Sequence, residues 1–461
     1  NSLLNAKGIK LKNNKADFIP KELDDWLFET SWQEINTGEK NNFEKTKNWL
    51  VFQDKTGVGD TLKMIMESRG KNCITVTMAS NFKNIGHNQY EIDPMNEDNF
   101  DLLFKDLSKN KINCHGIVHL WSLSNNLANQ QQWTDYGIKS QISVMNLVKA
   151  LVKNGINSLF RLAVITNGVR VLNEDKHPSS FLQAPVWGMG KVITFEYPLF
   201  NLSNIDLSSQ FNTMEIQSLF DIISSDKLET VAAIRSDKKL SEVLVPYQHQ
   251  PRQTKIEKSG SSIFNKVKSF FNENTAIGSA TEENLLIQSN ATYLITGGLG
   301  DLGLALTKWL IEKGAKYIVL TGRSNPSPKA TEILENLRKI SQIKIINGDI
   351  SQEEDVKKLF SEIEKTMPPL KGIVHAAAVI SDGIITQQAV DKFEKVLAPK
   401  AIGAMNLHKF IKNLNLKLDF FVMFSSLISQ IGLPGMLNYA AANSFLDSFF
   451  SILSVSSLRW R

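Results

Sequence analysis

The chain has 461 residues, 42% of them apolar and 21% charged, with 52 basic against 47 acidic side chains. That length predicts two or three domains, and the balance is that of an ordinary globular protein. A net charge of +5, spread along the chain, gives no reason to expect nucleic acid or an anionic membrane as partner.

Cys73 and Cys114 are the only cysteines, so neither a disulfide framework nor a zinc site of cysteine pairs is available. Such usage suits a reducing cytosol. No apolar run approaches the ~18 residues needed to span a bilayer. The first residue is Asn1, with no charged-then-apolar leader after it. The sequence therefore reads as a cytoplasmic piece of something longer.

In chain order, residues 1–22 are rich in Lys and Asn and read as a linker. Residues 23–250 alternate strand and helix patterns. Strands are predicted at 26–32, 48–52, 73–77, 116–120 and 162–166, with a helix running to about Ser68. Residues 251–289 change character and read as a second linker, holding a short amphipathic pattern from Ile263 to Phe271. From 290 to 461 the alternation resumes, with strands at 293–295, 315–321, 343–346, 372–375 and 420–424. Strands alternating with helices predict parallel sheets covered on both faces.

The second unit opens on Thr292-Tyr-Leu-Ile-Thr-Gly-Gly-Leu-Gly-Asp-Leu-Gly303. An apolar strand breaks into Gly297, Gly298, Gly300 and Gly303, with Asp301 and Leu302 between the last two, and a helical pattern follows through Leu306, Trp309 and Leu310. Glycines there allow a sharp turn and let a pyrophosphate reach free N–H groups at the helix start. Taken alone, this is also the pattern of an ordinary strand-to-helix turn.

The two units resemble each other. Placing Gly70 on Gly314 sets Gly59 on Gly303, and Gly-Ile-Val-His occurs at both 116–119 and 372–375, which favours duplication. In that pairing Gly298 is matched by Asp54, Gly300 by Thr56 and Arg323 by Ala79. A carboxylate and side chains at the turn disfavour a phosphorylated ligand, so the first copy is expected to be structural.

At the second strand of the second unit, Thr321-Gly-Arg-Ser sets Arg323 and Ser324 where a ribose would lie; an Arg there accommodates a 2′-phosphate, which favours NADPH over NADH. Ser426 follows the strand ending at Phe424. Tyr439 stands thirteen residues further on, and Asn443 four beyond that, so both share one helix face.

On these residues the chain resembles the ketoreductase domain of a modular polyketide synthase, in the short-chain dehydrogenase/reductase superfamily. The match rests on the glycine loop, Thr-Gly-Arg-Ser324, Gly348-Asp349-Ile350, His375-Ala376-Ala377, Leu397-Ala-Pro-Lys400, Phe-Ser-Ser426 and Tyr439-Ala-Ala-Ala-Asn443. Gln183-Ala-Pro-Val-Trp-Gly-Met-Gly190 is similar to the structural subdomain of the same family. The resemblance implies two Rossmann-like subdomains, the first degenerate and the second short at its C-terminus. It also implies that NADPH sits on the glycine loop, Arg323, Ser324, Asp349, Ile350 and residues 375–377. Tyr439 would be the general acid, helped by Lys400; Ser426 would orient the carbonyl, and Asn443 would support the Lys and a water. The substrate would be a β-ketoacyl chain on the phosphopantetheine of an acyl carrier protein, with other synthase domains in the same chain.

Stereocontrol is implied in the same way. Of a Leu-Asp-Asp element in one class of these reductases the chain keeps Asp382. Pro434 and Asn438 match that class, Ile431 stands where the opposite class has Trp, and Ala442 where epimerising members have Pro. A B-type enzyme giving a D-hydroxyl, without epimerisation, is expected. A competing reading is a non-catalytic scaffold with a shortened sheet. His115 and His119, on one predicted strand, would be ~13 Å apart by strand rise, so no metal site is expected.

Overall fold

The computed structural model describes residues 28–36, 47–123, 137–172, 175, 180–246 and 287–455. The predicted linker at 1–22, the amphipathic stretch 263–271 and the chain after 455 lie outside the described residues. Fifteen strands among the described residues form two sheets. The first sheet contains β1 (Phe28–Glu34), β2 (Asn48–Phe52), β3 (Asn72–Met78), β4 (Lys83–Gly86), β5 (Gln89–Ile92), β6 (Gly116–His119), β7 (Arg161–Asn167), β8 (Leu202–Leu207), β9 (Val231–Arg235) and β10 (Lys238–Pro246). The second contains β11 (Thr292–Thr296), β12 (Tyr317–Gly322), β13 (Gln342–Asn347), β14 (Leu370–His375) and β15 (Phe420–Met423).

Strand order in the second sheet is β13-β12-β11-β14-β15, all parallel. The first sheet has the same order at its centre, β5-β3-β2-β6-β7, extended by β8 and β9 in parallel. The repeated Gly-Ile-Val-His occupies the same register in each: His119 pairs with Phe52, and His375 with Thr296. Both strands are flanked by apolar clusters on two faces, which is why they read as continuous hydrophobic runs. Where the sheet departs from the expected pure parallel pattern is at its edges. There β4 turns back on β5, and β10 and β1 add antiparallel to β9.

One apolar cluster runs from the first sheet into helices of the second half, from Leu50 and Phe52 through Trp187 to Ala440 and Phe445. At its centre the helix Pro185–Glu196 lies on the long helix Leu437–Val455. A Cβ on Gly188 would fall 2.3 Å from the Ala440 carbonyl oxygen and 2.7 Å from Ser444 Oγ. The two backbones are therefore as close as glycine allows. Around them Phe181 meets the rings of Phe445 and Phe449 edge-on at 5.5 and 5.0 Å. Ser448 Oγ donates to the Val169 carbonyl at 3.1 Å. Arg170 and Lys191 both pair with Glu242 and also reach Gln430 of the second half. Burial alone would raise the Glu242 carboxyl, but the two cations outweigh it and hold it below its ordinary value.

Gly188→Ala is expected to force the two helices apart, lowering stability by about 1–3 kcal/mol, the usual cost of overpacking. Urea unfolding checks this; an unchanged midpoint would show that the contact tolerates a methyl group.

Candidate active site

The glycine turn after β11 closes with Gly297 at φ +66°, a conformation that favours glycine. A Cβ on Gly303 would fall 2.5 Å from the Gly297 carbonyl oxygen and 2.5 Å from Gly298 Cα, so turn and helix are packed backbone to backbone. Above Gly300 the space is open, with nothing nearer to an added Cβ than 3.6 Å. The helix Asp301–Glu312 begins there without a side-chain cap. Its first N–H groups and the positive end of its dipole thus face open space, the arrangement that suits an anion.

The equivalent turn in the first sheet is filled from within. Asp54 Oδ1 accepts from the Gly59 N–H at 2.7 Å, and Oδ2 accepts from the N–H groups of Thr56 at 2.7 Å and Val58 at 3.3 Å. The Thr56 hydroxyl donates to the same carboxylate. A carboxylate of the chain occupies the anion position, where the aligned sequence already placed Asp54 against Gly298.

Arg323 and Ser324 are exposed just past the C-terminal end of β12. Asp349 is half-buried in a turn, its carboxylate accepting from the Ser351 N–H at 2.9 Å, and Ile350 is buried. His375 is placed differently from a cofactor contact through its ring. Its imidazole is buried, Nδ1 lying 2.7 Å from Thr296 Oγ1 and Nε2 3.3 Å from the Lys400 carbonyl. Burial, with the neighbouring Lys400 charge, pushes its pKa down to about 4. The ring braces the Lys400 turn from behind, and Ala376 and Ala377 follow it at the strand end against Gly297.

Lys400 sits in a widened π-type helical turn, Ala398–Ile402, a local distortion common at functional positions. Its ammonium donates to the Phe424 carbonyl at 2.7 Å and lies 5.4 Å from the centre of the Tyr439 ring. Burial lowers its pKa to about 8, opposed by the charge of Asp447. Asn443 Nδ2 donates to the Tyr439 carbonyl at 2.8 Å, the i, i+4 relation read from the sequence. Its Oδ1 is buried with no partner, an acceptor left for a water or ligand group. Ser425 Oγ donates to the Asn443 carbonyl at 3.3 Å, tying the strand end to the helix. Ser426, half-buried, begins the next turn, its carbonyl accepting from Ser429 Oγ at 2.7 Å.

Two further groups were not singled out from sequence. Asp447 accepts from Ser429 Oγ at 2.6 Å and Gln430 Nε2 at 3.1 Å, and it is the carboxylate acting on Lys400. It stands four residues after Asn443 on the same helix face, so the spacing rule could have found it. Thr296, which holds His375, had no such signal. Of the residues expected to set stereochemistry, Asp382 and Pro434 are exposed and Asn438 is buried. Asn438 Nδ2 donates to the Ser381 carbonyl at 2.8 Å, drawing the loop of Asp382 to the start of the Tyr439 helix. His119 is buried beside Ser143, its Nε2 2.9 Å from Ser143 Oγ.

A family model described as KR domain matches residues 291–459, and one described as beta-ketoacyl synthase-like, N-terminal, matches residues 47–226. The chain is 28% identical over 318 residues to a phenolphthiocerol/phthiocerol polyketide synthase of Mycobacterium tuberculosis, covering 68% of this chain and 16% of that protein. It is 38% identical over 176 residues to a highly reducing polyketide synthase of Pyrenophora dematioidea, covering 36% of this chain and 7% of that protein. The chain thus spans a small part of the curated relatives it matches. Among solved structures, an N-terminal ketoreductase from the macrolactin assembly line superposes with a TM-score of 0.74 at 21% identity, over 94% of this chain and 81% of that one. The first ketoreductase of the tylosin polyketide synthase gives 0.69 at 22%, over 92% and 78%. These define a short-chain dehydrogenase/reductase fold in two sheets. Residues 291–459 belong to the KR domain family, and the fold of the described residues is that of ketoreductases from polyketide synthases. In the segment matched by the synthase-like model, burial and the nearby Glu67 push the Cys73 thiol up to about 12, so it offers no thiolate nucleophile. Among the described residues no helix is long and apolar enough to cross a membrane.

The Lys400 environment sets a pH dependence. Below about pH 8 both folded and unfolded chains hold its proton and the burial cost is felt in full. Between about 8 and the ordinary 10.5 the unfolded chain alone holds the proton, so this group makes stability rise with pH, by about 3 kcal/mol at most. Unfolding free energies across that window should show the rise in the natural chain and not in Lys400→Met; parallel profiles would contradict the burial of this ammonium.

Proposed function

We propose that the chain reduces a β-ketoacyl thioester, carried on an acyl carrier protein, to the β-hydroxyacyl product with NADPH. The observation that carries this reading is the buried Lys400 ammonium over the Tyr439 ring, with the unpartnered Asn443 Oδ1 on the same helix. The cofactor would be held by the uncapped helix start at 300–303, with Arg323 and Ser324 toward a 2′-phosphate and Asp349 and Ile350 as further contacts. The division into a structural unit at 23–250 and a catalytic unit at 290–461 belongs to the same proposal, as do neighbouring synthase domains.

When bound, NADPH supplies the hydride that adds to the β-keto carbon. The Ser426 hydroxyl donates a hydrogen bond to the carbonyl oxygen and fixes its position. Tyr439 donates its proton to the alkoxide that forms. A phenol has an ordinary pKa of about 10, so it needs a neighbouring positive charge to release that proton readily, and Lys400 supplies it. Asn443 Oδ1 accepts from a water that returns the proton through Lys400.

The likeness to solved structures does not select a stereochemical class, since an A1-type and a C2-type ketoreductase superpose with TM-scores of 0.70 and 0.69. The reading of a D-hydroxyl rests on Asp382, Pro434, Asn438 and Ile431, and that of an unepimerised α-carbon on Ala442.

With a β-ketoacyl thioester, Tyr439→Phe should lose about 10²–10⁴-fold in turnover, the usual worth of a general acid, while NADPH binding persists. Chiral analysis of the product should give the D-hydroxyl. Equal rates in the two proteins would sink the mechanism, and an L-hydroxyl would overturn the stereochemical assignment. No rate from either protein, with no NADPH binding, would favour a scaffold.

Cofactor choice is tested separately. Arg323→Ala should raise KM for NADPH about tenfold, the scale of one charged hydrogen bond, and leave that for NADH unchanged. A loss equal for both cofactors would remove the 2′-phosphate from the account.

A further inference from the structure

The first half also reaches the substrate side of the site. Glu196 is the last residue of the helix Pro185–Glu196. A carboxylate there faces the negative end of the helix dipole, an unfavourable place unless donors offset it. Two donors do, and both belong to the second half. Glu196 Oε2 accepts from the Ile385 N–H at 2.9 Å, and Oε1 accepts from the Gly435 N–H at 2.8 Å. The next residue, Tyr197, hydrogen-bonds the Thr386 side chain.

The two loops so held border Tyr439. One follows β14 and carries Asp382; the other, with Gly435 at φ +80°, carries Pro434 and leads into the Tyr439 helix. They are joined directly by the Gly383 N–H donating to the Gly435 carbonyl at 2.8 Å. Asn438 completes the set, donating to Ser381 at 2.8 Å and to Gln388 Oε1 at 3.2 Å, while its Oδ1 accepts from the Tyr439 N–H at 2.7 Å. The same loops expose Ile380, Ile384 and Leu433, apolar side chains suited to an acyl chain.

We infer that Glu196 is a positioning residue for the acyl substrate: one carboxylate of the first half holds both loops beside Tyr439 and so helps set how the β-carbonyl is presented to it. This rests on the reduction proposed above. Loss of charged hydrogen bonds to two amides would loosen both loops together, which loss of a residue holding a single loop would not do. Both Glu196 oxygens are engaged by these substrate-side loops and not by the glycine turn or Lys400, so the effect falls on substrate rather than on NADPH.

The test uses Glu196→Ala and the isosteric Glu196→Gln in the same chain. Amide hydrogen exchange at Ile385 and Gly435 should quicken about tenfold or more in Glu196→Ala, the scale of a lost charged hydrogen bond. In Glu196→Gln one of the two amides should quicken, since only one oxygen acceptor remains. With the β-ketoacyl thioester, KM should rise and the product enantiomer ratio fall, while kcat changes less and NADPH affinity stays constant. Unchanged amide exchange overturns the clamp. Faster exchange with unaltered KM and enantiomer ratio reduces Glu196 to a structural contact and overturns the positioning role. A natural chain without reductase activity would sink the reduction reading alone, and the amide exchange would still decide the clamp.

Discussion

Two helices can touch backbone to backbone only where the facing residues carry almost no side chain, and this molecule is built on one such contact. Gly188 lies against the Ala440 carbonyl so closely that a methyl group would overlap it. Ala440 is the residue after Tyr439. The depth at which the reactive helix sits is therefore set by a glycine of the other half. The surrounding Phe181, Phe445 and Phe449 rings then fix its rotation. In the reaction proposed above, a tyrosine whose phenol is to meet a carbonyl would depend on such support. The first half would then be the wall against which that chemistry is aligned.

That division of labour has an electrostatic counterpart. Two sheets with one strand order each end a central strand in a turn and a helix start, and each helix start attracts an anion. In the second half the turn is glycine and the N–H groups are left for a ligand. In the first, Asp54 supplies the charge itself, through three backbone N–H groups. A bound carboxylate satisfies the same donors permanently and needs no ligand to stabilise the turn. Those donors are thereby closed to an outside anion, and the helix start keeps its dipole satisfied by the chain's own side chain.

The legible parts of the sequence were those where one period dominates. The central strands β2, β6, β11 and β14 each hold a short apolar run, and they lie within two residues of where the pattern put them. The tetrapeptide at 116–119 and 372–375 even marks one register position in two sheets. What escaped was structure whose stability comes from paired polar groups. Strand β8, Leu-Ser-Asn-Ile-Asp-Leu, is fully buried yet half polar. Its Asp206 accepts from Thr166 Oγ1 at 2.7 Å and meets Arg235 at 2.9 Å, partners forty and twenty-nine residues away. Short-range pattern reading scores such a segment as a loop because the compensating groups are distant in sequence. The candidate site divides in the same way. Tyr439, Asn443 and Lys400 carry motif spacing, whereas Thr296 behind His375 and Glu196 behind the loops act only through tertiary contacts.

Lys400 shows why those hidden contacts matter. A lysine ammonium in a largely buried place is disfavoured, and its pKa of about 8 registers that cost. It is held there by the Phe424 carbonyl, by the widened turn that aims it, and by His375, which stays neutral and so adds no second positive charge. Asp447, further along the same helix face, opposes the shift and keeps the ammonium charged near neutral pH. Remove the support and the lysine either swings to solvent or loses its proton, and in both cases Tyr439 loses the charge beside it. The charge beside Tyr439 is thus a consequence of two opposed environments, burial that disfavours the ammonium and a carboxylate that preserves it.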